Sequence, residues 1–160
     1  MTDTLDIARR FTVAFNTRNV SRVVDCFTPD ATYNDLFYGQ FEGRPGLTYL
    51  FERMYAEGDH HEWTMTNVVS DAGRTIGEWR FTFQVSSLVP RSAGRTLSFD
   101  GVSVFETEQG LCSGYREYFD RGAALLALGI SPAAVARITA RRTTVGLTVS
   151  RGATPPDQPA

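Results

Sequence analysis

The stretch Leu47–Asp71, "LTYLFERMYAEGDHHEWTMTNVVSD", decides the fold class, because its hydrophobic pattern changes midway. Leu47, Leu50, Phe51 and Met54 recur at helical spacing, so a helix opened by "EGRPG" is predicted to end near Glu57-Gly58. From His61 the chain becomes strand-like, with aromatic and β-branched residues up to Asp71.

Upstream, helical spacing dominates. Thr4 is a candidate cap for a helix carrying Leu5, Ile7, Ala8, Phe11, Ala14 and Phe15. After "NTRN" a short second helix is expected from Ser21, with Val23, Val24 and Phe27 on one side and Pro29-Asp30 as its stop. "ATYNDLF" (31–37) then reads as a short strand. Downstream, "RTIGEWRFTFQVSSLV", "RTLSFDGVSVFETE" and "LCSGYREYFD" are further strands, joined by turns in "DAG", "PRSAG" and "EQG". Helices followed by an antiparallel meander describe an α+β fold, a curved sheet with helices against one face. Ser131-Pro132 starts a C-terminal helical extension with Arg137, Arg141 and Arg142 near its end. The last ten residues are expected to be disordered.

The totals narrow the function. The chain has 160 residues, enough for one core, and a net charge of −2 gives no general attraction to nucleic acid or anionic membrane. All 16 basic residues are arginine, which excludes lysine Schiff-base chemistry and a P-loop lysine. Cys26 and Cys112 lack metal-ligand spacing and read as reduced core thiols, so a cytoplasmic location is expected. The N-terminus is acidic and polar, unlike a signal peptide, and no apolar run is long enough for a membrane span. No cluster suggests a metal and no glycine-rich loop suggests a nucleotide, so no cofactor is expected.

Alternation assigns faces to the strands. Trp79, Phe81, Phe83 and Val85 share one side, away from Glu78, Arg80, Thr82 and Gln84. Leu97, Phe99, Gly101, Ser103 and Phe105 share a side, with Asp100 opposite. Ser113, Tyr115, Glu117 and Phe119 share a third, which turns a carboxylate inward if the aromatic side faces in. Asp35 sits among Tyr33, Leu36 and Phe37, either as a turn residue bonding its own backbone or as an acid in an apolar pocket. Glu117 is either half of an ion pair with Arg80 or Arg116, or a second working acid. Buried carboxylates cost several kcal/mol unless protonated or bonded, so these two are being paired or being used.

Several pieces together resemble the nuclear-transport-factor-2-like superfamily, which includes ketosteroid isomerases, limonene epoxide hydrolases, scytalone dehydratases and SnoaL-like polyketide cyclases. They are "VVDCFTPDATYND", "FEGRPGL", "GEWRFTF", and "FDGVSVFETEQG" followed by "YREYFD". The resemblance implies a cone-shaped sheet (residues 1–121) around a deep apolar pocket, a helical extension (122–143) and a tail (144–160). It implies Asp35 as general base, Tyr33 as a water- or substrate-orienting hydroxyl, and Glu117 as partner acid. Tyr115, Trp63, Trp79, Phe81, Phe83, Phe99 and Phe119 would bind substrate, with His60 at the rim. The implied activity is cofactor-independent isomerisation, cyclisation or dehydration of an apolar polycyclic or polyketide-like molecule, in a homodimer. An epoxide-opening enzyme and a non-catalytic ligand-binding or dimerisation domain are the alternatives. The sequence departs from these relatives where Phe11 replaces an oxyanion-hole tyrosine, and where Trp79 and Phe81 replace the Arg and Asp of the epoxide hydrolases.

Overall fold

The computed structural model describes residues 6–143. Helix α1 spans Ile7–Asn16 and α2 spans Val20–Val24. Asp6 caps α1 by accepting from the Arg9 N–H; Thr4 and Leu5, the expected start, lie outside the described residues. Phe27 is not on α2. It opens strand β1, Phe27–Asp35, and Pro29-Asp30 lies inside that strand rather than stopping a helix. The pairing with the neighbouring strand slips between Phe27 and Thr32, where Pro29 has no N–H to donate.

Strand β2, Gly39–Glu42, was not foreseen; it is only four residues long and folds back on β1. Helix α3 spans Gly43–Glu57, with Leu47, Leu50, Phe51 and Met54 buried as the spacing requires. Strands β3 (Gly58–Asp71), β4 (Arg74–Val85), β5 (Thr96–Glu108) and β6 (Leu111–Phe119) form the expected meander. The fourth stops at Val85, short of the "SSLV" included in the sequence reading. The six-stranded sheet has the order β2-β1-β6-β5-β4-β3, curved and unclosed. Its pairs are antiparallel except β1–β6, which is parallel.

The core fills the space between the inner sheet face and α1, α2 and α3. Phe11 is its hub, with no exposed surface and ring contacts to Phe15, Phe27, Tyr33, Phe51, Trp63, Phe105 and Tyr115. Helices α4 (Arg121–Ala127) and α5 (Pro132–Thr143) follow. The first docks on the β4–β5 connection, where Ser92 Oγ donates to the Leu128 carbonyl at 2.6 Å. Cys26 and Cys112 are both buried free thiols, and burial raises both pKa values. The expected tail, 144–160, lies outside the described residues. Among the described residues no helix is long and apolar enough to cross a membrane.

Candidate active site

Asp35 ends β1 and Glu117 lies near the end of β6, the strand beside it. Both point to the inner face, and each keeps only 6% of its surface exposed. They line one cavity together with Phe37, Tyr38, Met54, His61, Trp63, Trp79, Phe81, Phe83, Phe99 and Phe119. The cavity holds about 40 Å³, room for a few waters or a small chemical group.

The two acids are tied to one turn. The Asp35 Oδ1 accepts from the N–H groups of Phe37 and Tyr38, each at 2.7 Å. Glu117 Oε1 accepts from the Leu36 N–H at 3.1 Å. Three successive amides after β1 therefore face carboxylate oxygens. Both readings of Asp35 hold at once: it organises its own turn, and it is an acid in an apolar cavity.

Glu117 is different. Burial, and then the neighbouring Asp35 charge, push its pKa up to about 8, against the donors Leu36 and Tyr115. Neither Arg80 nor Arg116 pairs with it: Arg80 binds Asp100 at 2.8 Å and Arg116 binds Glu106 at 2.9 Å. Asp100 sits on the solvent side, 65% exposed, as the alternation indicated. The raised pKa keeps a proton on Glu117 near neutral pH.

Tyr33 and Tyr115 do not line the cavity. They share the inward side with Asp35 and Glu117 but lie deeper, stacked on each other at 4.1 Å between ring centroids. Alternation gives the face of a residue and not its depth. Tyr115 reaches the site through its hydroxyl, which donates to Glu117 Oε2 at 2.8 Å. Tyr33 is buried against Tyr115, and of Tyr33 and Asp35 only Asp35 lines the cavity.

His60 is replaced by His61. One extra residue enters β3 between the pairs Asp59↔Gln84 and Glu62↔Thr82, and His60 takes a φ of 51° there. This bulge turns Asp59 and His60 both outward and returns His61 in step with Trp63. His61 stacks on Phe83 at 5.8 Å with an 11° tilt. Arg18 can only donate, so its 2.8 Å bond to His61 Nδ1 leaves the neutral ring's hydrogen on Nε2. Burial and the Arg18 charge hold the His61 pKa down to about 4. Phe37, Tyr38 and Met54 were not foreseen as lining. Phe37 and Tyr38 belong to a turn, which has no period to read; Met54 was assigned to the core. Tyr38 is anchored by donating to Glu57 Oε2 at 2.9 Å, and Phe37 packs on Phe119 at 5.1 Å.

A curved, unclosed six-stranded sheet with helices packed on its inner face is the nuclear-transport-factor-2-like fold. Residues 8–115 match the SnoaL-like domain family, and the chain belongs to it. The match ends two residues before Glu117. Among solved structures, a hypothetical protein from Catenulispora acidiphila with a ketosteroid isomerase-like fold, in complex with trimethylamine, superposes with a TM-score of 0.71 at 17% identity, over 81% of this chain and 97% of that one. An LEH-like epoxide hydrolase from M. tuberculosis gives 0.63 at 16% identity, over 84% and 93%. A putative polyketide cyclase from a Silicibacter species gives 0.65 at 16%, over 76% and 91%. These likenesses show the fold. No curated protein matches the chain.

Proposed function

We propose that this protein is a cofactor-independent acid–base enzyme acting on an apolar small molecule of polyketide type, by isomerisation, cyclisation or dehydration. One observation carries the reading: Asp35 and Glu117 line the same cavity, both buried, and burial raises the pKa of Glu117. In the proposed cycle the Asp35 carboxylate takes a proton from carbon beside a carbonyl. Glu117 gives its proton to the carbonyl oxygen, so the enol forms without a free charge in the apolar site. In isomerisation the proton on Asp35 returns to a different carbon and Glu117 recovers its own. The aromatic walls keep water away and strengthen both transfers. A cavity of about 40 Å³ seats the reacting fragment, beside Phe37 and Tyr38 of the turn.

An epoxide-opening reaction, with a water between the two acids, is the second reading. The cavity has room for that water. Against it stand Trp79 and Phe81, which place rings where the epoxide hydrolases resembled here carry charge.

The test uses carbon acids in D2O, with deuterium incorporation followed by NMR. Cyclic β,γ-unsaturated ketones and linear triketones are suitable probes. The unmodified protein should catalyse exchange. Asp35→Asn keeps a side-chain oxygen for the Phe37 and Tyr38 amides, and should lose at least about 100-fold in exchange rate while remaining folded. Exchange at the wild-type rate in both Asp35→Asn and Glu117→Gln would sink the proposal.

A further inference from the structure

Behind Glu117 lies a chain of polar groups that the proposed cycle leaves unused. The Trp79 indole N–H donates to Ser103 Oγ at 2.7 Å, and Ser103 Oγ meets the Tyr115 hydroxyl at 2.7 Å. The Tyr115 hydroxyl reaches Glu117 Oε2 at 2.8 Å. The groups come from three adjacent strands, β4, β5 and β6, and Ser103 has no exposed surface.

The hydrogens in this chain have one arrangement when Glu117 is charged. An indole nitrogen only donates and a carboxylate only accepts. Ser103 must then accept from Trp79 and donate to Tyr115, which must donate to Glu117. The arrangement resists reversal. If Glu117 were protonated towards Tyr115, the Tyr115 hydrogen would turn back to Ser103. The Ser103 oxygen would then receive two donors, and its own hydrogen would be left without a partner in a sealed site.

We infer that Ser103 and the Trp79 indole are positioning residues that lock the Tyr115 hydroxyl as a donor to Glu117, so that Glu117 gains and gives its proton on the side facing the cavity. The chain is a lock rather than a wire, because it ends on an indole that does not release its proton. Leu36 occupies a lone pair of the other oxygen from the turn side at 3.1 Å, and Glu117 itself lines the cavity, so a proton on Glu117 takes a lone pair that neither Tyr115 nor Leu36 fills. The titratable groups facing Glu117 are Asp35 and Tyr33 from β1 and Tyr115 from its own strand. His61 from β3 and Tyr38 from the turn look across the same cavity.

This inference rests on the acid–base reading for its catalytic meaning, yet its test needs no substrate. Glutamate carboxyl carbons are labelled with 13C, the Glu117 signal is assigned with Glu117→Gln, and its titration is followed. Tyr115→Phe should raise the Glu117 midpoint by about one to two pH units, the loss of one hydrogen bond to a charged group. Ser103→Ala should raise it by a smaller step, because Tyr115 keeps its hydrogen but loses the donor that polarises it. A midpoint unchanged or lowered in folded Ser103→Ala overturns the proposal. A second measurement uses the unmodified chain. The two tryptophans give two indole N–H signals, assigned with Trp63→Phe. The Trp79 signal should titrate with the Glu117 midpoint and stop doing so in Tyr115→Phe. A Trp79 signal that ignores the midpoint overturns the proposal even if Ser103→Ala does not fold. Wild-type exchange in both Asp35→Asn and Glu117→Gln would defeat the enzymatic reading while leaving these signals in the unmodified chain as expected, so the two fail separately.

Discussion

The burial of Glu117 gives stability a pH dependence whose sign and window can be worked out. Its pKa rises from 4.5 to about 8 on folding, so between those values the folded protein holds a proton that the unfolded chain releases. Stability from this group is fully present below pH 4.5 and is lost as pH rises through 8. His61 acts in the opposite direction. Its pKa falls from 6.5 to about 4, so its contribution is lost as pH falls through that range. The two slopes oppose each other between 4.5 and 6.5, and Glu117 stands alone between 6.5 and about 8. At about 1.4 kcal/mol per pH unit, that upper window is worth roughly 2 kcal/mol, or about 4–8 °C in Tm. Urea unfolding at pH 6.5, 7.25 and 8 would measure it. Glu117→Gln should remove the slope, although its amide loses the Tyr115 bond and lowers the level at every pH by about 1–3 kcal/mol. A wild-type stability that is flat across this window, or an equal slope in the variant, would refute the account of Glu117.

Other outcomes follow from particular contacts. Phe11→Ala removes the ring that touches seven others and should cost about 3–5 kcal/mol in urea unfolding. Gly101→Ala would place a methyl 2.4 Å from the Trp79 ring and 2.8 Å from the Tyr118 carbonyl, so it should lower Tm and displace Trp79 from the cavity wall, read by tryptophan fluorescence. Asp100→Asn breaks the solvent-side pair with Arg80 and should leave deuterium exchange unchanged, which excludes Asp100 as the second proton donor of the site. His61→Phe preserves the stack on Phe83 but removes the slope that opposes Glu117, so urea unfolding should show stability falling as pH rises between 4.5 and 6.5, where the wild type is nearly flat.

The hydrophobic periods by themselves determined the α+β class, the helix over Gly43–Glu57, the four-strand meander and the inward direction of Glu117. These are local properties: each residue's face follows from its spacing to near neighbours. The identities of Asp35 and Glu117 as the acids worth following were also legible, because a carboxylate on an aromatic face needs a reason. Only the tertiary structure decided the rest. It paired β1 in parallel with β6, which brought residues 35 and 117 to one cavity. The β3 bulge exchanged His60 for His61, and an inserted residue leaves no mark in a period-two pattern. Burial depth separated Tyr33 from Asp35 on the same side of one strand. The lock from Trp79 through Ser103 to Tyr115 joins three strands across the sheet, and hydrogen bonds between residues 24 and 12 positions apart depend on strand register, which no stretch of sequence carries alone.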